Sequence, residues 1–224
     1  MRILITGAGG PSAISVWKSL SAQHELHMAD MDPCAAGLYV VPAERRLIIP
    51  RGDSPELLPA LLEACRARRI ELLLPTVDAE LAPLAEASDQ FAALGTALPI
   101  SPAECLRTCR DKQLLLDRVR GRVPVPEYEA LTPAVAAAIG SFPRFVKPRL
   151  GAGSRGAVKI AGPADLEALP KDGSLLLQEY LPGEEFSVDV YVRRDGKVIG
   201  AVPRERMKTD SGVAVAARTA ICRS

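Results

Sequence analysis

The chain lacks the features that would place it in several large functional classes. Its 28 basic and 27 acidic residues leave a formal net charge of +1. No basic stripe of the kind that neutralises a phosphate backbone is present, and nucleic-acid binding is set aside. No apolar run approaches the ~20 residues of a membrane span. The opening Met1-Arg2-Ile3-Leu4-Ile5-Thr6-Gly7 reaches a turn too early for a secretory leader, so a cytoplasmic protein is expected. Histidine is scarce: His24 and His27 are the only two. The five cysteines, Cys34, Cys65, Cys105, Cys109 and Cys222, are odd in number and not closely paired, which argues against a disulfide framework. Cys105 and Cys109 share a helix face, but no histidine lies near them to complete a zinc site, and buried thiols are expected. There are no internal repeats.

What is present is a change of pattern near the middle. Arg2–Ile5 reads as a short apolar strand ending in a glycine-rich turn. A helix follows, with Ala13, Val16, Trp17 and Leu20 at helical spacing. Strands are expected at Leu26–Ala29, Arg46–Ile49, Glu71–Leu74 and Leu94–Leu98. Helices are expected after Ser54-Pro55-Glu56 and from Asp78 to Ala87. Such alternation implies a parallel sheet covered on both faces. After Pro99 a capping box, Ser101-Pro102-Ala103-Glu104, opens a helix, and Asp111-Lys112 opens another. Beyond the stiff Val123-Pro124-Val125-Pro126 come short strands at Phe145–Pro148, Ala157–Ala161, Leu175–Leu181, Ser187–Arg193 and Lys197–Val202. The last two flank an Asp195-Gly196 turn. Tight turns imply an antiparallel sheet. The expected organisation is residues 1–100 as a parallel α/β domain and 101–224 as an α+β domain.

Three motifs could carry chemistry. Gly7-Ala8-Gly9-Gly10-Pro11-Ser12, between a strand and a helix, could cradle a phosphate, with Asp30 placed where a dinucleotide fold puts its ribose acid. Pro11 removes an amide donor and Ser12 replaces the third glycine, so a purely structural turn is the competing reading. In the second motif a strand-borne lysine, Lys147, precedes Arg149-Leu150-Gly151-Ala152-Gly153-Ser154-Arg155-Gly156. A fixed cation and a loop of turnable amides suit an anion, and the loop is loose enough for a lid; a flexible hairpin is the alternative. In the third, Gln178-Glu179-Tyr180-Leu181-Pro182-Gly183-Glu184-Glu185, a strand edge could offer a carbonyl and an amide to adenine, and a carboxylate could accept ribose hydroxyls. A solvated acidic turn is the alternative.

In this order and spacing the motifs resemble the ATP-grasp superfamily, most nearly the carbamoyl-phosphate synthetase large chain and related ATP-dependent carboxylate–amine ligases. The resemblance covers almost the whole chain. It implies a Rossmann-like pre-ATP-grasp domain, built on the opening strand and Leu74-Pro75-Thr76-Val77-Asp78, followed by an ATP-grasp domain. It also implies ATP phosphate contacts from Lys112 and Lys147, and a lid of Gly151, Gly153, Ser154, Arg155 and Gly156. Adenine contacts are implied for Glu179, Tyr180 and Leu181, and ribose contacts for Glu185, with Glu184 its neighbour. Arg204, Arg206 and Lys208 resemble the basic residues that approach phosphate or substrate. The implied reaction activates a carboxylate as an acyl phosphate, which an amine or ammonia attacks.

The family's magnesium is held by late acidic residues and a Glu-x-Asn. This chain contains no asparagine, so its magnesium ligands are expected beyond Ser224 and no metal ligand is assigned within it. The expectation is a C-terminally incomplete ATP-grasp domain: a fragment, or a split-gene subunit whose site a partner chain completes. A non-catalytic nucleotide-binding subunit and an NAD(P)-dependent oxidoreductase are the alternatives.

Overall fold

The computed structural model describes residues 1–151, 153–193, 195–210 and 212–220. Ala152, Ser211 and Cys222, and the side chain of Asp210, named in the sequence reading, lie outside the described residues. Two compact units divide the chain at Arg107/Thr108. In the first, β1 (Arg2–Ile5), α1 (Pro11–Leu20), β2 (Glu25–Asp30), β3 (Arg46–Ile48), α2 (Leu57–Arg68), β4 (Leu72–Leu74), α3 (Asp78–Glu86) and α4 (Ser88–Ala93) follow in order. The strands form a parallel sheet in the order β3-β2-β1-β4. Successive strand side chains leave opposite faces, so Leu4, Ala29 and Leu73 enter a core with Leu57, Leu61, Leu84 and Phe91. Ile3, Ile5, Leu26 and Met28 enter a second core with Ala13 and Trp17 of α1. Each fully buried side chain of this size contributes about 1.5–3 kcal/mol.

Several local expectations needed correction. The helix expected at Ser54 starts at Leu57, because the Ser54 carbonyl accepts a turn bond from Leu57 N–H and Ser54 Oγ one from Glu56 N–H. Pro59 therefore lies in the first turn of α2, where its missing N–H costs nothing. The expected strand at Leu94–Leu98 is a single bridge between Ala97 and Leu72. Of the described thiols only Cys65 is buried; Cys34, Cys105 and Cys109 are exposed.

The unit boundary falls within α5 (Ala103–Arg110). The second unit holds α6 (Lys112–Val119), β5 (Tyr128–Ala130), α7 (Pro133–Ala137), β6 (Arg144–Pro148), β7 (Val158–Ile160), α8 (Pro163–Glu167), β8 (Leu175–Glu179), β9 (Phe186–Val192), β10 (Val198–Asp210) and β11 (Val213–Thr219). One antiparallel sheet has the order β5-β8-β6-β7. Val146, Ile160, Leu175 and Leu177 cross from it into a core with Leu131, Leu166 and Val135. Alternation leaves Phe145 and Lys147 on the opposite face. A second antiparallel sheet, β11-β10-β9, is longer than the sequence indicates. Its central strand passes through Arg204-Glu205-Arg206, a polar run without hydrophobic period, where cross-strand ion pairs Arg204–Asp189 and Arg218–Glu205 stand in for packing. One face of β9 carries Phe186, Val188, Val190 and Val192, all exposed. No helix among the described residues is long and apolar enough to cross a membrane.

One buried acid in the first unit has a measurable consequence. Glu80 is 3% exposed and accepts a 2.5 Å bond from Thr6 Oγ1. That hydroxyl in turn receives Thr76 N–H. Burial pushes the Glu80 carboxyl up from 4.5 to about 7, with the Thr6 bond working against the shift and Asp30 adding to it. The fold thus holds this proton more tightly than the unfolded chain does, and stability is full below about pH 4.5, falls as pH rises to about 7 and stays lower above. Glu80→Gln should remove that slope and stabilise the unit at pH 8 by roughly 1–3 kcal/mol. Thermal midpoints of both proteins across pH 4–8 would test this; parallel curves would contradict it.

Candidate functional site

The glycine turn of the first unit is occupied by its own surroundings. Ala8 N–H donates to Ala29 O, Gly10 N–H to Gly7 O, and Gly9 N–H to Asp30 Oδ2 at 2.8 Å. Asp30 Oδ1 also accepts Asp32 N–H. The Gly37 segment presses on the same turn, with Gly37 N–H on Ala8 O. Gly7 has φ +66, and a Cβ there would stand 2.6 Å from Val77 Cγ2. These three amides and the Asp30 carboxylate are engaged within the fold, which favours the structural reading of the turn.

The second unit holds a cavity of about 300 Å³ that gathers most of the predicted phosphate residues. Lys147 reaches it from β6, Lys112 from the start of α6, and Gly151, Gly153, Ser154 and Arg155 from the glycine loop. Asp111 caps α6 through the amides of Gln113 and Leu114. Lys112 Nζ donates to Gly151 O at 2.8 Å and to Arg149 O at 3.3 Å, tying the helix start to the base of the loop. Lys147 is half-buried and has no hydrogen-bond or carboxylate partner among the described residues. Burial, and then the neighbouring Lys112 charge, hold its ammonium below the usual lysine range. A desolvated cation beside a second cation is a strong attractor for an anion. Gly151, Gly153 and Gly156 have positive φ, as does Ser154 at +54.

On the far side of the cavity are Glu185 and Gly212. Arg206 ties them together, with Nη1 on Glu185 Oε1 and Nη2 on Gly212 O at 2.7 Å. Its Nε is buried without a partner among the described residues. Glu179 Oε2 accepts Glu127 N–H, so its side chain is turned to β5. Tyr180 stacks under the Lys159 ammonium at 4.3 Å, and Leu181 is exposed. Glu179, Tyr180, Leu181, Gly156, Arg204, Arg206 and Lys208 are not in the described lining. Arg204 instead pairs with Asp189. Phe145, Pro148, Leu150, Ala157 and Gly212 also line the cavity and were not assigned to the site from the sequence. Phe145 could have been found, since it lies two residues before Lys147 on one strand.

The described acids do not fit a magnesium site. No group of three His, Cys, Asp or Glu that could hold a metal occurs among the described residues. Glu185, the one acid in the described lining, is paired with Arg206, and outside the lining Asp111 is paired with Arg149, Asp189 with Arg204 and Glu205 with Arg218.

Comparison with known proteins follows the division of the chain. Residues 3–99 match a family model described as the PylC-like N-terminal domain. Residues 171–223 match one described as ATP-grasp in the biosynthetic pathway with Ter operon. No curated protein matches. Among solved structures, N5-carboxyaminoimidazole ribonucleotide synthetase from Thermotoga maritima aligns with TM-score 0.65 and 19% identity, over 90% of this chain and 53% of that one. The L-amino acid ligase from Bacillus licheniformis aligns with TM-score 0.65 and 16% identity, over 93% and 51%. The Staphylococcus aureus N5-carboxyaminoimidazole synthetase complexed with ADP aligns with TM-score 0.70 and 16% identity, over 95% and 56%. The chain spans about half the length of these structures, and at such identities the likeness is one of fold.

The turn at Gly212 closes directly on the glycine loop. Gly212 has φ +75, and a Cβ there would lie 2.4 Å from Gly153 C and 2.6 Å from Ser154 N. Gly212→Ala should therefore force the turn off the loop, costing about 1–3 kcal/mol. Calorimetry should register the loss, and trypsin should cut faster at Arg155. Unchanged stability and protection would mean that turn and loop do not pack together in solution.

Proposed function

We propose, for a chain in which a PylC-like N-terminal domain is followed by an ATP-grasp region, that the cavity around Lys147 binds the phosphates of ATP. The reaction served is activation of a carboxylate as an acyl phosphate, from which an amine or ammonia displaces phosphate. The observation that carries this reading is the convergence of half-buried Lys147, Lys112 and the glycine loop on one cavity. In it the two lysines offset phosphate charge where water is partly excluded, so each charge acts at low dielectric. The glycine loop covers the phosphates. Glu185 takes the ribose once Arg206 turns toward the ligand, and the backbone from Glu179 to Leu181 takes the adenine. Binding of ADP by the Staphylococcus aureus structure supports the nucleotide class. Exposed thiols at Cys34 and Cys105, outside any disulfide, support a reducing, cytoplasmic setting.

Lys147→Ala should weaken ATP binding by roughly 1–3 kcal/mol, and adenosine binding far less. Titration calorimetry is the measurement, with NADH as a control that should show no affinity. Equal ATP affinity in the variant would sink the assignment.

The magnesium ligands come, on this reading, from protein beyond the described residues, whether further sequence or a partner chain, equivalent to the part of the solved structures that this chain does not span. Two observations support that: no described donor cluster suits the ion, and the row Phe186, Val188, Val190 and Val192 is exposed. The 224-residue chain alone should bind ATP with little gain from magnesium and show no steady-state turnover with carboxylate and amine. Magnesium-dependent phosphate release by this chain alone would overturn this reading of the metal and leave the nucleotide reading standing.

A further inference from the structure

Arg149 carries a full positive charge at the mouth of the glycine loop, yet it is not in the described lining of the cavity. Its guanidinium is committed elsewhere. Nη2 donates to Asp111 Oδ2 at 2.6 Å and Nε to Asp111 Oδ1 at 3.3 Å, with Nη1 at 3.4 Å from Gly173 O. The pair is mostly enclosed, with side chains 29% and 13% exposed. Burial alone would raise the Asp111 carboxyl; the Arg149 bond and the Gln113 and Leu114 amides outweigh it and hold the group below the usual carboxylate range.

Both residues are joined to Lys112 through the main chain. Asp111 is the cap of the helix on which Lys112 is the first residue. The Arg149 carbonyl accepts from Lys112 N–H at 3.0 Å and from Lys112 Nζ at 3.3 Å. Arg149 N–H is anchored in turn on Ser174 O. One ion pair thus joins the start of α6, the end of β6 and the turn before β8, and the ammonium of Lys112 is held at that junction. A bidentate fork fixes orientation as well as distance, which a lysine in place of Arg149 would not do.

We propose that Asp111 and Arg149 are positioning residues for the phosphate end of the ligand: they touch no ligand atom and act by fixing Lys112 against the base of the glycine loop. This rests on the nucleotide reading above. Its consequence is selective. Loosening the pair should affect ligands that carry phosphate and spare those that do not.

The test uses calorimetric titration of the full chain with ATP and with adenosine. Asp111→Asn keeps an acceptor for the helix cap but removes the charge, and Arg149→Gln removes the fork. Each should lower ATP affinity on the order of tenfold, leave adenosine within about twofold and move the thermal midpoint by only a few degrees. The double variant should be no worse than either single one, because the two act as a unit. In a Lys112→Ala background Asp111→Asn should add nothing. Equal losses for ATP and adenosine, or a further loss in the Lys112→Ala background, would reduce the pair to a general structural bond and overturn the proposal. Absence of ATP binding by the unaltered chain would fell the nucleotide reading, and this proposal with it.

Discussion

A strand sends successive side chains to opposite faces, and on β6 that constraint sets the position of the cation at the centre of the second unit's cavity. Val146 must enter the core with Leu177 and Ile160. Phe145 and Lys147 are therefore turned to the other face, whatever their own preferences. Lys147 is left half-buried beside an apolar ring, at a solvation cost that no described carboxylate offsets. Lys112 then arrives at the same place for an unrelated reason, the capping of α6 by Asp111. Two cations brought close by backbone geometry repel one another, and the Lys112 charge adds to burial in holding the Lys147 ammonium below the usual lysine range.

Much of this was legible in the sequence. The short apolar run at Arg2–Ile5, the strand at Phe145–Pro148 and the helical spacing of Ala13, Val16, Trp17 and Leu20 are local signals, and the structure follows them closely. Asp111 was readable as a helix start because its short carboxylate suits a cap. The Asp195-Gly196 turn was readable because glycine alone accepts its φ of +84 without strain. Legibility failed where long-range partners decide. β10 extends to Asp210 through residues whose strand character depends on Asp189 in β9 and Arg218 in β11. β5 and β11 are likewise defined by what they pair with, since Tyr128–Ala130 and Val213–Thr219 carry no decisive pattern of their own.

The candidate site divides in the same way. Charge and glycine content announced Lys147 and the loop, because a cation on a strand followed by turnable amides is a local arrangement. Gly212 gave no such notice. Its importance comes from standing within a few ångströms of Gly153 and Ser154, about sixty positions earlier in the chain. The attachment of Glu185 to Arg206 and of Arg149 to Asp111 belongs to the same class: each residue is ordinary in its own neighbourhood and specific only through a distant partner.

The valine row of β9 has a consequence for the protein as a colloid. β9 is the outer strand of its sheet, so among the described residues one row of its N–H and C=O groups has no neighbouring strand in that sheet. Its side chains alternate Val188, Val190 and Val192 on one face. Unpaired backbone beside an apolar face is a template on which another extended chain can add. With a net charge of +1 at pH 7 there is almost no long-range repulsion to slow such encounters. The tendency of copies to associate therefore depends on concentration and on the magnitude of the net charge, and buffers well away from neutrality keep them apart.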